Sequence, residues 1–187
     1  MALIDRLRRR SSAEAVVRAH AAGVTRQLTR IFGPGADIDD VFQAVFVEII
    51  RSLPAFKGKS QLKTWIHRIT LNVAYQEMRL RYRERAIRCS EDPESVMATW
   101  VDQNDDFARS DALAMLYRGL EVLDPKKRIA LVLHDIEGYT LKETGELLGR
   151  PLQTVASQVK AGRGQLAQWY AAQEPRTHRL QPVEEVS

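Results

Sequence analysis

Few side chains in this sequence are spaced for covalent or metal chemistry, and each candidate lacks a required part. Gly58-Lys59-Ser60 has the ending of a phosphate-cradling glycine loop, but the position five residues before Gly58 holds Leu53. Asp37, Asp39 and Asp40 crowd carboxylates as a calcium loop does, yet Phe42 stands where that loop turns on glycine. His20, His67, His134 and His178 show no ligand spacing. The single cysteine, Cys89, excludes an internal disulfide and a cysteine-based zinc cluster, and no base neighbours it. These patterns predict no metal, no cofactor and no catalytic constellation.

Nucleic-acid chemistry is better served. Residues 57–88 carry nine basic and two acidic side chains. Lys57, Lys59, Lys63, Arg68, Arg79, Arg81, Arg83 and Arg85 are interleaved with Trp65, Tyr75 and Tyr82. Cations track a phosphate backbone, and aromatic faces stack unpaired bases at about 1–3 kcal/mol per base. The spacing also places Trp65 on an apolar stripe, where it would pack in a core.

Residues 140–170 carry a second signal. A short helix, a turn at Gly149-Arg150-Pro151 and a longer helix from Leu152 have helix-turn-helix spacing. The second helix of that motif enters the major groove. Its outward side chains would include Gln153, Thr154, Ser157, Gln158, Lys160 and Arg163. Gln can pair bidentately with adenine, Arg with guanine, and Ser or Thr can hold phosphates. An αα-hairpin that binds no DNA fits the same geometry.

Helices must position all of these groups. Val24, Leu28, Ile31 and Phe32 recur with helical period. So do Val41, Phe42, Val45, Phe46, Ile49, Ile50 and Leu53, and then Leu62, Trp65, Ile66, Ile69 and Val73. No segment alternates with period two, so the expected fold is all-α. Asp37 and Ser60 are expected N-caps, and Pro54 limits the helix before it. Asp124-Pro125 pairs a cap with proline at the first helical position, and Thr140 and Glu143 have capping-box spacing. Gly149 should end one helix and Pro151 open the next. Leu141, Thr144, Leu147, Leu148, Leu152, Val155, Val159, Leu166 and Trp169 are expected to face a core.

The 187 residues carry a net charge of +4, which hides blocks of opposite sign. Residues 1–30 sum to +5, 31–56 to −3, 57–88 to +7, 89–112 to −6 and 113–187 to +1. Such segregation suits separate surfaces for separate partners. We expect a domain at 1–88, an acidic linker at 89–111, a helix-turn-helix domain at 112–172 and a frayed tail at 173–187. No apolar run approaches the roughly 20 residues of a membrane helix, and none follows the N-terminal charges as in a signal peptide. With one cysteine, this points to a cytoplasmic protein without membrane insertion.

Longer motifs then become recognisable. Asp37-Ile38-Asp39-Asp40-Val41-Phe42-Gln43-Ala44-Val45-Phe46 resembles the core-polymerase-binding helix of bacterial sigma factors. Phe56-Lys57-Gly58-Lys59-Ser60-Gln61-Leu62-Lys63-Thr64-Trp65-Ile66-His67-Arg68-Ile69, followed by Asn72, is similar to their promoter-melting and minus-ten segments. Leu123 to Arg128, Glu137 to Glu143, Leu147-Leu148-Gly149, and then Pro151, Thr154, Val155 and Ser157 resemble the minus-35-binding domain. The set resembles the extracytoplasmic-function (ECF) group, over about residues 14–170.

The resemblance implies a dissociable, non-enzymatic initiation subunit of bacterial RNA polymerase. Asp37, Asp40, Gln43 and Phe46 would bind core polymerase. Lys57, Lys59, Ser60, Lys63, Arg68, Asn72, Gln76 and Arg79 would hold the single-stranded minus-ten element. Lys59, Ser60 and Asn72 would pocket a base, which must leave its stack to be read. Arg150, Gln153, Thr154, Ser157, Gln158, Lys160 and Arg163 would read duplex at minus-35. An anti-sigma factor is the further partner implied, and the acidic linker bearing Asp102, Asp105 and Asp106 would thread the polymerase channels.

Departures bear on this reading. Ala44 replaces an acidic residue, and Thr70-Leu71 replaces alanine-arginine. Arginines are missing near Gln158 and Ala161, and Gly162 and Gly164 are expected to weaken the recognition helix. Two other readings stay open at this point. One is a helix-turn-helix regulator acting without polymerase. The other is a sigma-like interaction protein that sequesters a partner.

Overall fold

The computed structural model of the protein describes residues 2–91 and 111–173. Most of the acidic linker, with Asp102, Asp105 and Asp106, and the tail past Gln173 lie outside the described residues. The described residues form helices and connecting turns, with no strand among them. In chain order these are α1 (Ala2–Phe32), α2 (Asp39–Ser52), a 3-10 turn (Leu53–Ala55) and α3 (Leu62–Glu91). Then come α4 (Asp111–Glu121), α5 (Pro125–Leu131), a π turn (Val132–Ile136), α6 (Leu141–Leu148) and α7 (Leu152–Gln173).

Helices α1, α2 and α3 pack on one another through the expected stripes. Val24, Leu28, Ile31 and Phe32 of α1 meet Val41, Val45, Phe46 and Ile49 of α2, all buried. On α3 the buried line is Ile66, Thr70, Leu71, Ala74 and Met78. That line is rotated from the expected one: Leu62, Trp65, Ile69 and Val73 are only half-buried. Thr70 fits because its hydroxyl donates to the Ile66 carbonyl at 3.0 Å, which leaves its methyl for the core. The departure at Thr70-Leu71 is therefore a core feature. Trp65 leans on Phe56 with ring centroids 5.0 Å apart.

The second unit is built around α7, which packs on α4, α5 and α6. Leu120, Leu123, Ile129, Leu131, Val132, Leu133, Val155 and Val159 are buried there. Burying each such side chain contributes about 1.5–3 kcal/mol. Leu152, expected inside, is exposed with the rest of the first turn of α7, and the buried side begins at Val155.

Several punctuation marks are formed as read. The Asp124 carboxylate accepts from the Lys126 amide at 2.8 Å, with Pro125 opening α5. Thr140 and Glu143 make a reciprocal capping box. Gly149 ends α6 at φ 63°, a left-handed conformation that needs no Cβ. Others shift by a residue. Asp37 accepts from the Asp39 amide at 3.2 Å, while Ile38 occupies the N-cap of α2. The first bond of α3 runs to the Gln61 carbonyl and that of α7 to the Pro151 carbonyl, so Gln61 rather than Ser60 stands at one helix start and Pro151 sits just outside the other.

Gly162 and Gly164 do not break α7, which runs unbroken from Leu152 to Gln173. A Cβ on Gly162 would lie 2.6 Å from Leu131 Cδ1. That glycine is what lets α5 and α7 approach closely.

The two units touch along a seam. Arg128 of α5 donates through Nη2 to the Ile31 carbonyl at 3.1 Å and the Phe32 carbonyl at 3.4 Å, closing the C-terminal end of α1. Arg30 pairs with Glu137 at 2.8 Å, and the Tyr117 hydroxyl donates to the Arg30 carbonyl at 2.8 Å.

Candidate nucleic-acid and polymerase interfaces

The acidic start of α2 presents one face to solvent. Asp37, Asp40 and Gln43 are exposed there, as is Ala44. Phe46 is not available for contact: it is buried at 6% exposure against Phe42, ring centroids 4.9 Å apart. The apolar residues on the open face are Val47, 65% exposed, and Ile50, 45% exposed. Sequence reasoning missed both. Their signal was the width of the apolar set, since with Val47 eight large apolar positions from Val41 to Leu53 exceed what one helix face can bury.

Lys57, Lys59 and Ser60 all lie exposed on the loop before α3, with Gly58 at φ 68° between the lysines. Along α3, Arg68, Asn72, Gln76 and Arg79 follow at intervals of four, four and three, so they share one exposed face. Lys63 is exposed but lies around the helix from that face. Arg79 sits 5.9 Å from the Tyr75 ring centroid, which fixes a cation beside an aromatic surface. At its edge this face meets the second unit. Arg68 donates to the Glu146 carbonyl at 3.1 Å, and the Arg150 guanidinium lies 5.1 Å from the Tyr75 ring.

The helix-turn-helix is built tightly. A Cβ on Gly145 would come 2.7 Å from the Arg150 carbonyl oxygen, so the close crossing of α6 and α7 requires glycine. Gln153, Thr154, Ser157 and Lys160 are exposed together on α7. Two of the expected readers stand on the flanks instead. Gln158 is half-buried and accepts from Arg150 at 3.0 Å. Arg163 is held by Asp135 through two bonds of 2.6 and 3.0 Å, which also raises its pKa. Asp135 lies in the π turn and Glu137 directly follows it, so this short segment pairs with Arg163 of α7 and with Arg30 of α1.

Buried polar groups gather where the units meet. The His67 ring lies 5.8 Å from that of Tyr139, and its Nε2 has no hydrogen-bond partner among the described residues. Burial lowers its pKa below 6.5, against the opposing pull of Glu137 and with a smaller push from Lys63. Arg128 is buried, and desolvation brings its pKa down to about 10. Among the described residues no group of three or more His, Cys, Asp or Glu could hold a metal ion. Nor is any described helix long and apolar enough to cross a membrane.

Comparison with known proteins now adds to the geometry. The family model "Sigma-70 region 2" matches residues 16–84, and "Sigma-70, region 4" matches residues 113–166. The sequence is 30% identical over 145 residues to the RNA polymerase sigma factor CarQ of Myxococcus xanthus, covering 78% of this chain and 80% of that protein. The chain belongs to the sigma-70 family, as an ECF-type sigma factor. It is 35% identical over 156 residues to the ECF RNA polymerase sigma factor SigE of Mycolicibacterium smegmatis. That match covers 83% of this chain but spans only 60% of the relative's length. The fold is similar to CnrH, solved in complex with the cytosolic domain of CnrY, at a TM-score of 0.54 and 22% identity over 88% of this chain and 90% of that one. It is also similar to RpoE of Bartonella quintana, solved with the anti-sigma factor NepR, at a TM-score of 0.53 and 16% identity over 86% and 97%. In this ECF-type chain, α1 to α3 carry the region 2 match and α4 to α7 the region 4 match.

Proposed function

We propose that the protein is a promoter-specificity subunit that directs bacterial RNA polymerase core to chosen promoters and aids their opening. The observation that carries this reading is one chain exposing an α2 face for a protein partner, a basic α3 face beside Tyr75, and a polar α7 face. Neither a lone helix-turn-helix regulator nor a sequestering protein accounts for all three together.

Core polymerase would dock on Asp37, Asp40 and Gln43, with Val47 and Ile50 in place of the buried Phe46. The opened minus-ten strand would lie along Lys57, Lys59, Ser60, Asn72, Gln76 and Arg79, with Lys63 and Arg68 at its margins. Exposed cations there gain from counterion release, and a flipped base needs the loop's polar atoms to replace its lost pairing. At minus-35, Gln153, Thr154, Ser157 and Lys160 would face the major groove. Arg150, Gln158 and Arg163 would brace α7 or reach phosphates once released from their present partners.

Residues 1–88 and 112–172 serve as the two working domains in this reading, with the linker and tail between and after them. The protein acts in the cytoplasm and is not an enzyme. An anti-sigma protein is a fitting third partner, since both structural relatives were solved with a partner protein and one of these is an anti-sigma factor by name.

The test is transcription by sigma-free core polymerase with the purified protein on its source genome, read by sequencing transcript 5′ ends. Defined starts sharing two upstream motifs are expected. Tight polymerase binding without specific starts would favour the sequestering reading, and duplex binding without polymerase affinity the plain regulator.

A further inference from the structure

A small cleft lies between α3 and the α4–α5 corner, where the two units meet. Arg81, Tyr82 and Arg85 of α3 line it, as do Phe32, Glu121 and Arg128. Three guanidiniums thus face one carboxylate. Arg85 is engaged with Glu121, through the carbonyl and, at 3.9 Å, the carboxylate. Arg81 is paired with Glu77 at 2.7 Å, outside the lining. Arg128 has only helix-end carbonyls: no carboxylate among the described residues lies within ion-pair distance, and its buried Nε has no hydrogen-bond partner. Two of the guanidiniums also lie over the same ring, Arg81 at 5.0 Å and Arg128 at 5.9 Å from the Phe32 centroid. The ring holds like charges close together in a cleft partly shielded from water. Mutual repulsion adds to burial in lowering the Arg128 pKa.

We propose that this cleft is a binding site for a phosphate group, free or at the end of a nucleotide, which bridges the two units. The chemistry matches. Guanidiniums present paired N–H donors to tetrahedral oxyanions, and the bonds are charge-assisted. The size matches too: the cleft measures about 30 Å³, and since one water needs roughly 10–15 Å³ on that measure, it takes one oxyanion group with its outer oxygens at the mouth. A phosphate there offsets the unmatched charge of Arg128 and ties Arg81 and Arg85 of the first unit to Arg128 of the second. This site is separate from the promoter-reading surfaces and does not rest on the proposed function.

The experiment uses the full chain, with inorganic phosphate, pyrophosphate and a nucleoside diphosphate as probes against matched chloride. Calorimetry should give one saturable site, and hydrogen exchange should slow at residues 31–33 and 121–128. Arg81→Gln and Arg85→Gln should each weaken binding about tenfold or more, the scale of one lost charged hydrogen bond. Arg79→Gln, on the exposed α3 face, should leave it unchanged. Nucleoside diphosphate binding far tighter than pyrophosphate identifies a nucleotide ligand; equal or weaker binding identifies free phosphate, and both support the site. Arg128→Gln is avoided because it also uncaps α1. No saturable binding beyond chloride, no protection at the seam, or equal loss in Arg79→Gln and Arg81→Gln would overturn the proposal.

Discussion

Gly162→Ala and Gly164→Ala make the same chemical change two residues apart on α7, yet only the second should stabilise the protein. In a helix interior, glycine to alanine gains about 1 kcal/mol from reduced chain entropy. At Gly164 nothing lies within 4 Å of the added carbon, so the gain should appear in full. At Gly162 the carbon would lie 2.6 Å from Leu131 Cδ1, 3.2 Å from its Cγ and 3.5 Å from Lys127 Cβ. Leu131 is itself buried at 2% exposure, so it has little room to turn away. Overpacking of this kind costs about 1–3 kcal/mol, which offsets or exceeds the helix gain. The two variants should therefore differ by about 1–3 kcal/mol, or several degrees in Tm. Thermal unfolding by circular dichroism measures it. The reasoning fails if Gly162→Ala is stabilised as much as Gly164→Ala. The effect should reach function, because α5 is the floor on which α7 rests. Duplex binding should weaken in Gly162→Ala and not in Gly164→Ala.

Other expectations follow from single contacts. Phe46→Ala should destabilise the fold by about 3–5 kcal/mol through a cavity, whereas Val47→Asp should unfold nothing and instead abolish polymerase binding; pull-down of core with each variant separates them. Thr140→Ala should cost about 1 kcal/mol by removing the capping box, visible in urea unfolding. His67 makes the seam pH-dependent. Its pKa is lowered by burial at the seam, so its contribution to packing is complete above the ordinary value of 6.5 and declines as pH falls below it. Small-angle scattering between neutral and mildly acidic pH should show a shift toward more open molecules, and His67→Asn should flatten that response.

Local features were legible in the sequence and long-range ones were not. The capping box at Thr140 and Glu143, the cap at Asp124, the left-handed end at Gly149 and the helix-turn-helix spacing each depend on residues within a few positions of one another. Their hydrogen bonds follow from backbone geometry and side-chain length alone. The apolar periods likewise established that the chain is helical. Periodicity does not say which edge of a wide stripe meets a neighbour. Packing of α1 against α2 decided that Phe46 goes inside and leaves Val47 and Ile50 open, and it rotated the buried line of α3 toward Leu71 and Ala74. Gly162 read as a weak point until Leu131 stood beside it. The seam was invisible for the same reason. Arg128 caps a helix that ends 96 residues earlier in the chain, and nothing local to either partner marks the other. Residue types and short spacings determined the elements and the kind of surface each offers. Only the tertiary structure decided which side chains on those surfaces are free, because that depends on which distant helices meet.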